Sequence, residues 1–451
     1  MKRPLQWVAD TLGISMQTAA QVTGWSTDTR TVAPGDLFFA LSGPNFDGNQ
    51  YVDQALQKGA VAAVADGLPG SDRVLRVADS LQALQQLATK ARVEWAGNVV
   101  GVTGSAGKTS TKEMVAEMIS VKLPAEKTQG NLNNHIGLPL TLLRLDEGAR
   151  VAVIEMGMNH TGEIRALAEI AKPNVGVVTN VGWAHIENFE SREGIAAAKA
   201  ELVDALGPQG VAVLNADDER VAAMAKSHTG RTILYGQSPA ADLRAEDVEY
   251  SLDGVRFRVG ETKFDSQLTG HHSVSNLLAG MAAASVYGVA PSDLTERVRN
   301  LRPAKMRGER ITHNGILVYN DCYNSNPDAV RAMLDVLRDT PAKRRIAVLG
   351  EMLELGRWAE PLHRDVGNYA AACGINVLVG IRGAACYMLD AAKRSGLEDD
   401  AAFFFDDASS AGELIRTLAQ PGDAILFKGS RGVHVESALE AFLGTPQGGS
   451  H

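Results

Sequence analysis

The chain has 451 residues, more than one hydrophobic core usually supports, so two or three domains are expected. Its 45% hydrophobic and 22% charged composition is that of a globular protein, and a net charge of −9 excludes a broad nucleic-acid or anionic-membrane surface, which would need clustered Lys and Arg. Cys322, Cys373 and Cys386 lack CxxC spacing and suit a reducing compartment, the opening MKRPLQWVAD turns polar before a signal-peptide core could form, and no run of about 18 apolar residues occurs; a cytoplasmic chain without membrane insertion is expected.

In chain order, the region to residue 97 reads as a small α/β domain. TVAPGDLFFAL is a turn and a strand, NQYVDQALQKGA a helix ended by Gly59, VAAVAD a strand, and SLQALQQLATKARVEWAG a closing helix. Residues 98–306 change texture to strand–loop–helix units. NVVGVTG, VAVIEMG, NVGVVTNVG and GVAVLNADD are short buried strands, TSTKEMVAEMISV is a helix with Met114, Val115, Met118 and Ile119 on one face, and HHSVSNLLAGMAAASVYGV is a small-residue helix. Apolar strands alternating with helices predict a mostly parallel sheet covered on both faces. Residues 307–451 repeat the texture with GILVYND, RRIAVLGEM, INVLVGI, AAFFFDD and DAILFKGS as strands of a Rossmann-like α/β unit, and the tail GTPQGGSH is expected to be flexible.

Thr103-Gly104-Ser105-Ala106-Gly107-Lys108-Thr109-Ser110 lies between a buried strand and an amphipathic helix, the context a phosphate loop requires. Glycines let backbone N–H groups converge on phosphate oxygens, Lys108 reaches the terminal phosphates, and Thr109 suits magnesium. Val102 stands where the strict pattern has its first glycine. Glu155 ends the strand VAVIE and His185 follows NVGVVTNV, so in a parallel sheet both arrive at the edge from which the loop emerges. A carboxylate and a hydroxyl suit a hard cation better than an imidazole does, so His185 alone reads as a loop histidine. Lys199 falls in the apolar stripe of Ile195, Leu202 and Leu206, where an unpaired ammonium is costly. Two readings stay open for it: snorkelling to solvent, or pointing at the phosphate site as a cation or a CO2-derived carbamate.

With these residues in view, the chain resembles the Mur ligase family, ATP-dependent amide ligases of peptidoglycan precursor synthesis. TGSAGKTS is similar to the family's ATP signature; Glu155, His185 in GWAHIENF and Lys199 in AAAKAEL match its metal-binding Glu, His and carbamylated Lys. His272 and Asn276 match its HNxxN element with Ser273 in the second position, Arg307 its junction Arg, and Asp321 its ribose-binding Asp. Within the family, QGNLNNHIGLPLTLL with Asn133 and Asn134, NDCYNSNP with Tyr323, Asn324 and Asn326, GEMLELG followed by His363, and KGSRG with Lys428, Ser430 and Arg431 are most similar to the branch that joins D-alanyl-D-alanine to a UDP-N-acetylmuramoyl-tripeptide. Ala329 and Val435 depart from the family's usual Ser and Met. STDTRTVAPGDLFFALSGPNFDG, with Thr29, Arg30, Asn45 and Asp47, resembles its uridine-nucleotide domain.

The resemblance implies a monomeric, ADP-forming ligase that uses ATP and two Mg2+ ions. One ion is held near Thr109 and Glu155, the other near Glu155, His185 and carbamylated Lys199. The substrate carboxylate would be phosphorylated and then attacked by the amine. A nucleotide switch is the competing class, but the guanine-reading NKxD element is missing; a silent nucleotide binder is disfavoured by the intact Lys108, Glu155, His185 and Lys199. The runner-up substrates are those of an earlier step of the same family or of folylpolyglutamate synthesis.

Overall fold

A computed structural model describes residues 1–444; the expected flexible tail lies outside the described residues from position 445 onward. The fold is three α/β domains in series. The first is built on a four-stranded parallel sheet, Gly24–Ser26, Asp36–Phe39, Ala62–Ala65 and Val74–Arg76 in that order. The helix Ser80–Glu94 lays Ala83, Leu84, Leu87 and Ala91 on its core side, and Asp79 caps it by accepting from Gln82 N at 2.9 Å. At the other end of this helix Arg92 is buried and donates to the carbonyls of Ala171, Trp95 and Lys172 at 2.7, 3.0 and 3.1 Å. A cation at the C-terminus of the helix Glu163–Ala171 satisfies its last carbonyls, and here it also ties the first domain to the second.

The central domain carries seven strands, all parallel: Ala125–Lys127, Val151–Glu155, Asn98–Thr103, Val175–Val178, Val211–Asn215, Arg231–Gly236 and Leu243–Arg244. Its middle strands are apolar except at their ends because helices cover both faces. Met114, Val115, Met118 and Ile119 are buried as their spacing predicts, against the helix His271–Ser285. A three-stranded antiparallel sheet, Glu246–Ser251, Gly254–Val259 and Thr262–Ser266, follows; the sequence reading does not separate it, although Val255, Phe257 and Val259 alternate with Arg256 and Arg258 as a half-buried strand demands.

The third domain has six strands in the order Glu309–His313, Ile316–Asp321, Ala424–Lys428, Arg345–Gly350, Val377–Ile381 and Ala402–Phe405, antiparallel only at the first edge. Val435, one of the family departures, is fully buried, and a Cβ on Gly429 would come within 2.3 Å of its side chain; a larger Met would meet a crowded strand end. Ala329 contributes its backbone N–H to the Asn326 cap of the helix Pro327–Asp339 at 2.9 Å, a bond that needs no serine hydroxyl.

His363, fully buried on the helix Ala359–Ala372, has Nδ1 2.6 Å from Ala359 O, while Nε2 accepts from Met352 N at 2.9 Å. The ring is therefore neutral with its proton on Nδ1, and burial pushes its pKa below 6.5. A histidine depressed in the folded state contributes fully above pH 6.5, and that stability is lost as pH falls through the folded pKa. His363→Gln keeps an acceptor for Met352 N, so its melting temperature is expected to fall less steeply than wild type between about pH 7 and pH 5. Thermal melts across that range check this.

Candidate active site

The phosphate loop follows the strand Asn98–Thr103, whose neighbours are Val151–Glu155 and Val175–Val178. Register places Glu155 beside Val102 and Val178 beside Thr103, so the three strand tips meet at one edge. Gly104 has φ +152 and a Cβ there would lie 1.8 Å from Thr179 Oγ1, so only glycine lets the loop leave the strand this way. Gly107, at φ +77, opens the helix Lys108–Ile119 with its Cα against Asn276, whose Oδ1 would stand 2.8 Å from an added Cβ.

Lys108 Nζ donates to Gly104 O at 2.8 Å. It keeps some exposure to the cleft, yet desolvation lowers its pKa, Glu155 opposing. Thr109 Oγ1 donates to Glu155 Oε2 at 2.9 Å and accepts from Arg307 Nη2 at 3.0 Å, while Asn133 Nδ2 holds Glu155 Oε1 at 2.8 Å. Arg307 also lies over the Tyr323 ring at 4.0 Å. Both carboxylate oxygens of the buried Glu155 are thus fixed by neutral donors, with Lys112 Nζ behind at 3.9 Å.

Lys199 is 1% exposed on the helix Arg192–Asp204, and among the described residues it makes no hydrogen bond or ion pair. Burial, then the charge of Lys108, push its pKa well below the ordinary lysine value. The side chain is buried rather than extended into bulk solvent, with Lys108 as its charged neighbour. His185, at φ 62, has Nδ1 2.6 Å from Glu354 Oε2, an ion-pair contact too bent to count as a hydrogen bond.

A cleft of about 810 Å³ runs from Ser105–Ser110 and Glu155 across to Asp321, Tyr323 and Lys428 of the third domain. Asp321 and Lys428 are register partners on adjacent strands, and Lys428 Nζ donates to Asp321 Oδ2 at 2.6 Å and Asn324 O at 2.9 Å. The cleft's two sides are joined directly. Trp183 N donates to Asp328 Oδ2 at 2.9 Å, Trp183 and Trp358 rings lie 5.5 Å apart, and Arg357 donates to Glu190 O at 3.2 Å. An adjoining cavity of about 320 Å³ is lined by His272, Ser273, Asn276 and Arg307. Ser273 turns its hydroxyl back to Thr269 O.

Asn134 and Arg431 also line the cleft, each held by neighbours of its own. Asn134 Oδ1 accepts from Gly137 N at 2.9 Å just before the helix Gly137–Arg144, Ser430 Oγ accepts from Leu353 N at 2.9 Å, and Arg431 pairs with Glu436 at 2.8 Å. Thr29, Arg30, Asn45 and Asp47 do not line the cleft; Arg30 binds Asp28, Asp47 ties its own hairpin by accepting from Ser42 Oγ and Asn49 Nδ2, and all belong to the first domain. Three residues at the site escaped the sequence reading. Asn180 Oδ1 accepts from Ala106 N at 2.8 Å, Lys112 backs Glu155, and Asp328 bridges the domains. Lys112 carried a usable signal, since it sits three residues before Val115 on the buried helical stripe.

Comparison with known proteins agrees with this arrangement. Models of the Mur ligase family match in three parts: the catalytic domain over residues 21–126, the middle domain over 102–284, and the glutamate ligase domain over 306–431. The UDP-N-acetylmuramoyl-tripeptide–D-alanyl-D-alanine ligase of Bacillus subtilis is 34% identical over 99% of this chain and 98% of its own length. Among solved structures, MurF from Acinetobacter baumannii superposes with a TM-score of 0.89 at 30% identity, covering 99% of both chains. The MurF ligase of Thermotoga maritima in complex with ADP gives 0.83 at 29% identity, over 94% of this chain and 97% of that one. The chain belongs to the Mur ligase family.

Proposed function

We propose that the protein is an ATP-dependent, ADP-forming ligase that adds D-alanyl-D-alanine to UDP-N-acetylmuramoyl-tripeptide through an acyl phosphate. The observation that carries this is the convergence of Lys108, Thr109 and Glu155 on a cleft whose opposite wall, with Asp321, Tyr323 and Lys428, belongs to the third domain. The near full-length likeness to ligases bearing that name supports the choice of substrates. The reading divides the chain at residues 97 and 306, with uridine-nucleotide binding by the first domain through Thr29, Arg30, Asn45 and Asp47. Adenine enters the cavity beside His272 and Asn276, and the ribose meets Asp321.

A carboxylate does not condense with an amine in neutral water because its oxygen leaves poorly. In the first step a tripeptide carboxylate oxygen attacks the γ-phosphorus, the bond to the β–γ bridging oxygen breaks, and ADP departs with the electron pair. Two anions meet there, so positive charge must be concentrated. Lys108 releases Gly104 O to reach the terminal phosphates, and Arg307 crosses from the junction between domains. In the second step the D-alanyl-D-alanine amine attacks the acyl carbon, phosphate leaves, and the amine gives up a proton. Docking of the third domain through Asp328 and Trp183 shields this step from water.

The donors at the loop fit magnesium. Thr109 Oγ1 and Glu155 Oε2 are hard oxygens 2.9 Å apart, and Mg2+ accepts few protein ligands, filling its octahedron with water and phosphate. Among the described residues no group of three His, Cys, Asp or Glu side chains could hold a metal ion, so a second ion near Glu155 and His185 would need a further ligand, for which a carbamate on Lys199 is the candidate. When bound, the metal neutralises phosphate charge. The reading includes a monomer working in the cytoplasm; among the described residues no helix is long and apolar enough to cross a membrane. Phosphate release from ATP tests the function: release is expected only when UDP-N-acetylmuramoyl-tripeptide and D-alanyl-D-alanine are both present, and brisk hydrolysis of ATP alone would favour a nucleotide switch instead.

A further inference from the structure

Two residues other than glycine hold left-handed backbone and face one another across the domain boundary: His185 at φ 62 and Glu354 at φ 63. Such conformations are rare for residues with a Cβ and persist where the surroundings impose them. The surroundings of Glu354 do impose it. The segment after the strand Arg345–Gly350 is tied at consecutive amides: Glu351 N to Ile381 O at 2.9 Å, Met352 N to His363 Nε2 at 2.9 Å, and Leu353 N to Ser430 Oγ at 2.9 Å. Glu351 Oε1 accepts from Ala384 N at 2.9 Å, and from the central domain Glu187 N donates to Glu354 O at 3.2 Å. Glu354 is therefore a carboxylate on a fixed strut rather than a free surface side chain.

Its Oε2 lies 2.6 Å from His185 Nδ1, which leaves Nε2 as the ring nitrogen without a protein partner among the described residues. A carboxylate at one imidazole nitrogen sets the tautomer and aims the other nitrogen at a metal or phosphate group. The bent angle does not weigh against this, since such bonds tighten once substrates are bound. The geometry points to Glu354 as a positioning residue that orients His185 from the third domain, so that the phosphate site is completed only when that domain docks. This rests on the reading of His185 as part of the phosphate site.

The test uses the full chain with ATP, magnesium, UDP-N-acetylmuramoyl-tripeptide and D-alanyl-D-alanine, comparing Glu354→Gln, His185→Asn and the double variant. E354Q is expected to lower kcat by about 10- to 100-fold with the KM for ATP within about twofold, the range seen when a carboxylate behind a ligating histidine is lost. The double variant is expected to be no slower than H185N alone, because both remove one device. Ring-15N histidine spectra of wild type with a non-hydrolysable ATP analogue, magnesium and UDP-N-acetylmuramoyl-tripeptide, with His185 assigned by its loss in H185N, are expected to show the Nδ1-protonated tautomer, and E354Q to lose that preference. Losses that multiply in the double variant, an E354Q enzyme with wild-type kcat, or mixed tautomers in wild type would each overturn the proposal while leaving the ligase reading standing. Undiminished turnover in H185N would overturn the reading of His185 itself. E354Q is isosteric at a half-exposed side chain, and an unchanged melting temperature confirms that its kinetics report chemistry.

Discussion

Lys199→Ala is expected to lower turnover by roughly 1,000-fold, at the upper end of what loss of one preorganised charged group costs, and added bicarbonate is not expected to restore it. The lysine is 1% exposed, lacks a carboxylate partner, and has Lys108 as its charged neighbour. Burial, and then the charge of Lys108, drive Lys199 toward the neutral amine. A neutral amine is a nucleophile. In the proposed carbamylation its lone pair would attack the carbon of CO2, a carbon–nitrogen bond would form, one oxygen would take the displaced π electrons, and the nitrogen would release a proton to solvent. The product would be an anion near Lys108, so the proposed modification would turn repulsion into attraction and offer two hard oxygens. Alanine leaves no nitrogen to modify, which is why bicarbonate cannot rescue it. A 13C spectrum under labelled CO2 gives a readout independent of activity: one carbamate signal in wild type, absent in K199A. Near-normal turnover in K199A, or no labelled carbamate in wild type, would remove the modification from the mechanism.

What could be read beforehand divides along a physical line. Thr103–Ser110 and Glu155 are legible because their signal is local: a strand, a glycine turn and a helix start within ten or so residues, with the parallel sheet bringing strand tips together by topology alone. Lys199 is legible as an anomaly, a charge on an apolar stripe, but its direction is a matter of packing. Lys112 presents the same anomaly, but the apolar residues that follow it already account for one helix face, so pattern alone does not single it out. Glu354 falls within GEMLELG, matched only by resemblance, and Asp328 directly follows NDCYNSNP, but neither contact could be read from pattern. Their partners, His185 and Trp183, lie in another domain, and no periodicity encodes a contact formed only by docking two folded units. The first domain differs: Arg30 pairs with Asp28 and Asp47 accepts from Asn49, each within its own turn, and neither lines the cleft. The antiparallel sheet at 246–266 was missed for a different reason, its polar edge strand reading as loop.

Lys108→Met is expected to weaken ATP binding by at least about tenfold and to lower kcat by a further 100-fold or so, since the ammonium contributes more as charge builds on the transferred phosphoryl group than in the ground state. Methionine keeps the length and most of the apolar stem, so the fold is preserved and the loss isolates the charge. Arginine is not expected to rescue it. The ammonium now rests on Gly104 O at 2.8 Å inside the curl of its own loop, and a planar guanidinium would push against the Gly104 and Gly107 backbone that must approach the phosphates. The pH dependence follows from the same surroundings. Desolvation lowers the Lys108 pKa in the free enzyme, so the ammonium is given up earlier on alkaline titration than in an exposed lysine. Bound triphosphate favours the charged form, so wild-type affinity for ATP is expected to decline on the alkaline side while K108M stays flat over the same interval. Calorimetric titration of ATP with magnesium across that interval measures both. A K108M enzyme whose affinity tracked wild type on the alkaline limb would assign the titrating charge to another group, and a K108R enzyme with full turnover would show that the loop needs a cation but not the compact shape of lysine.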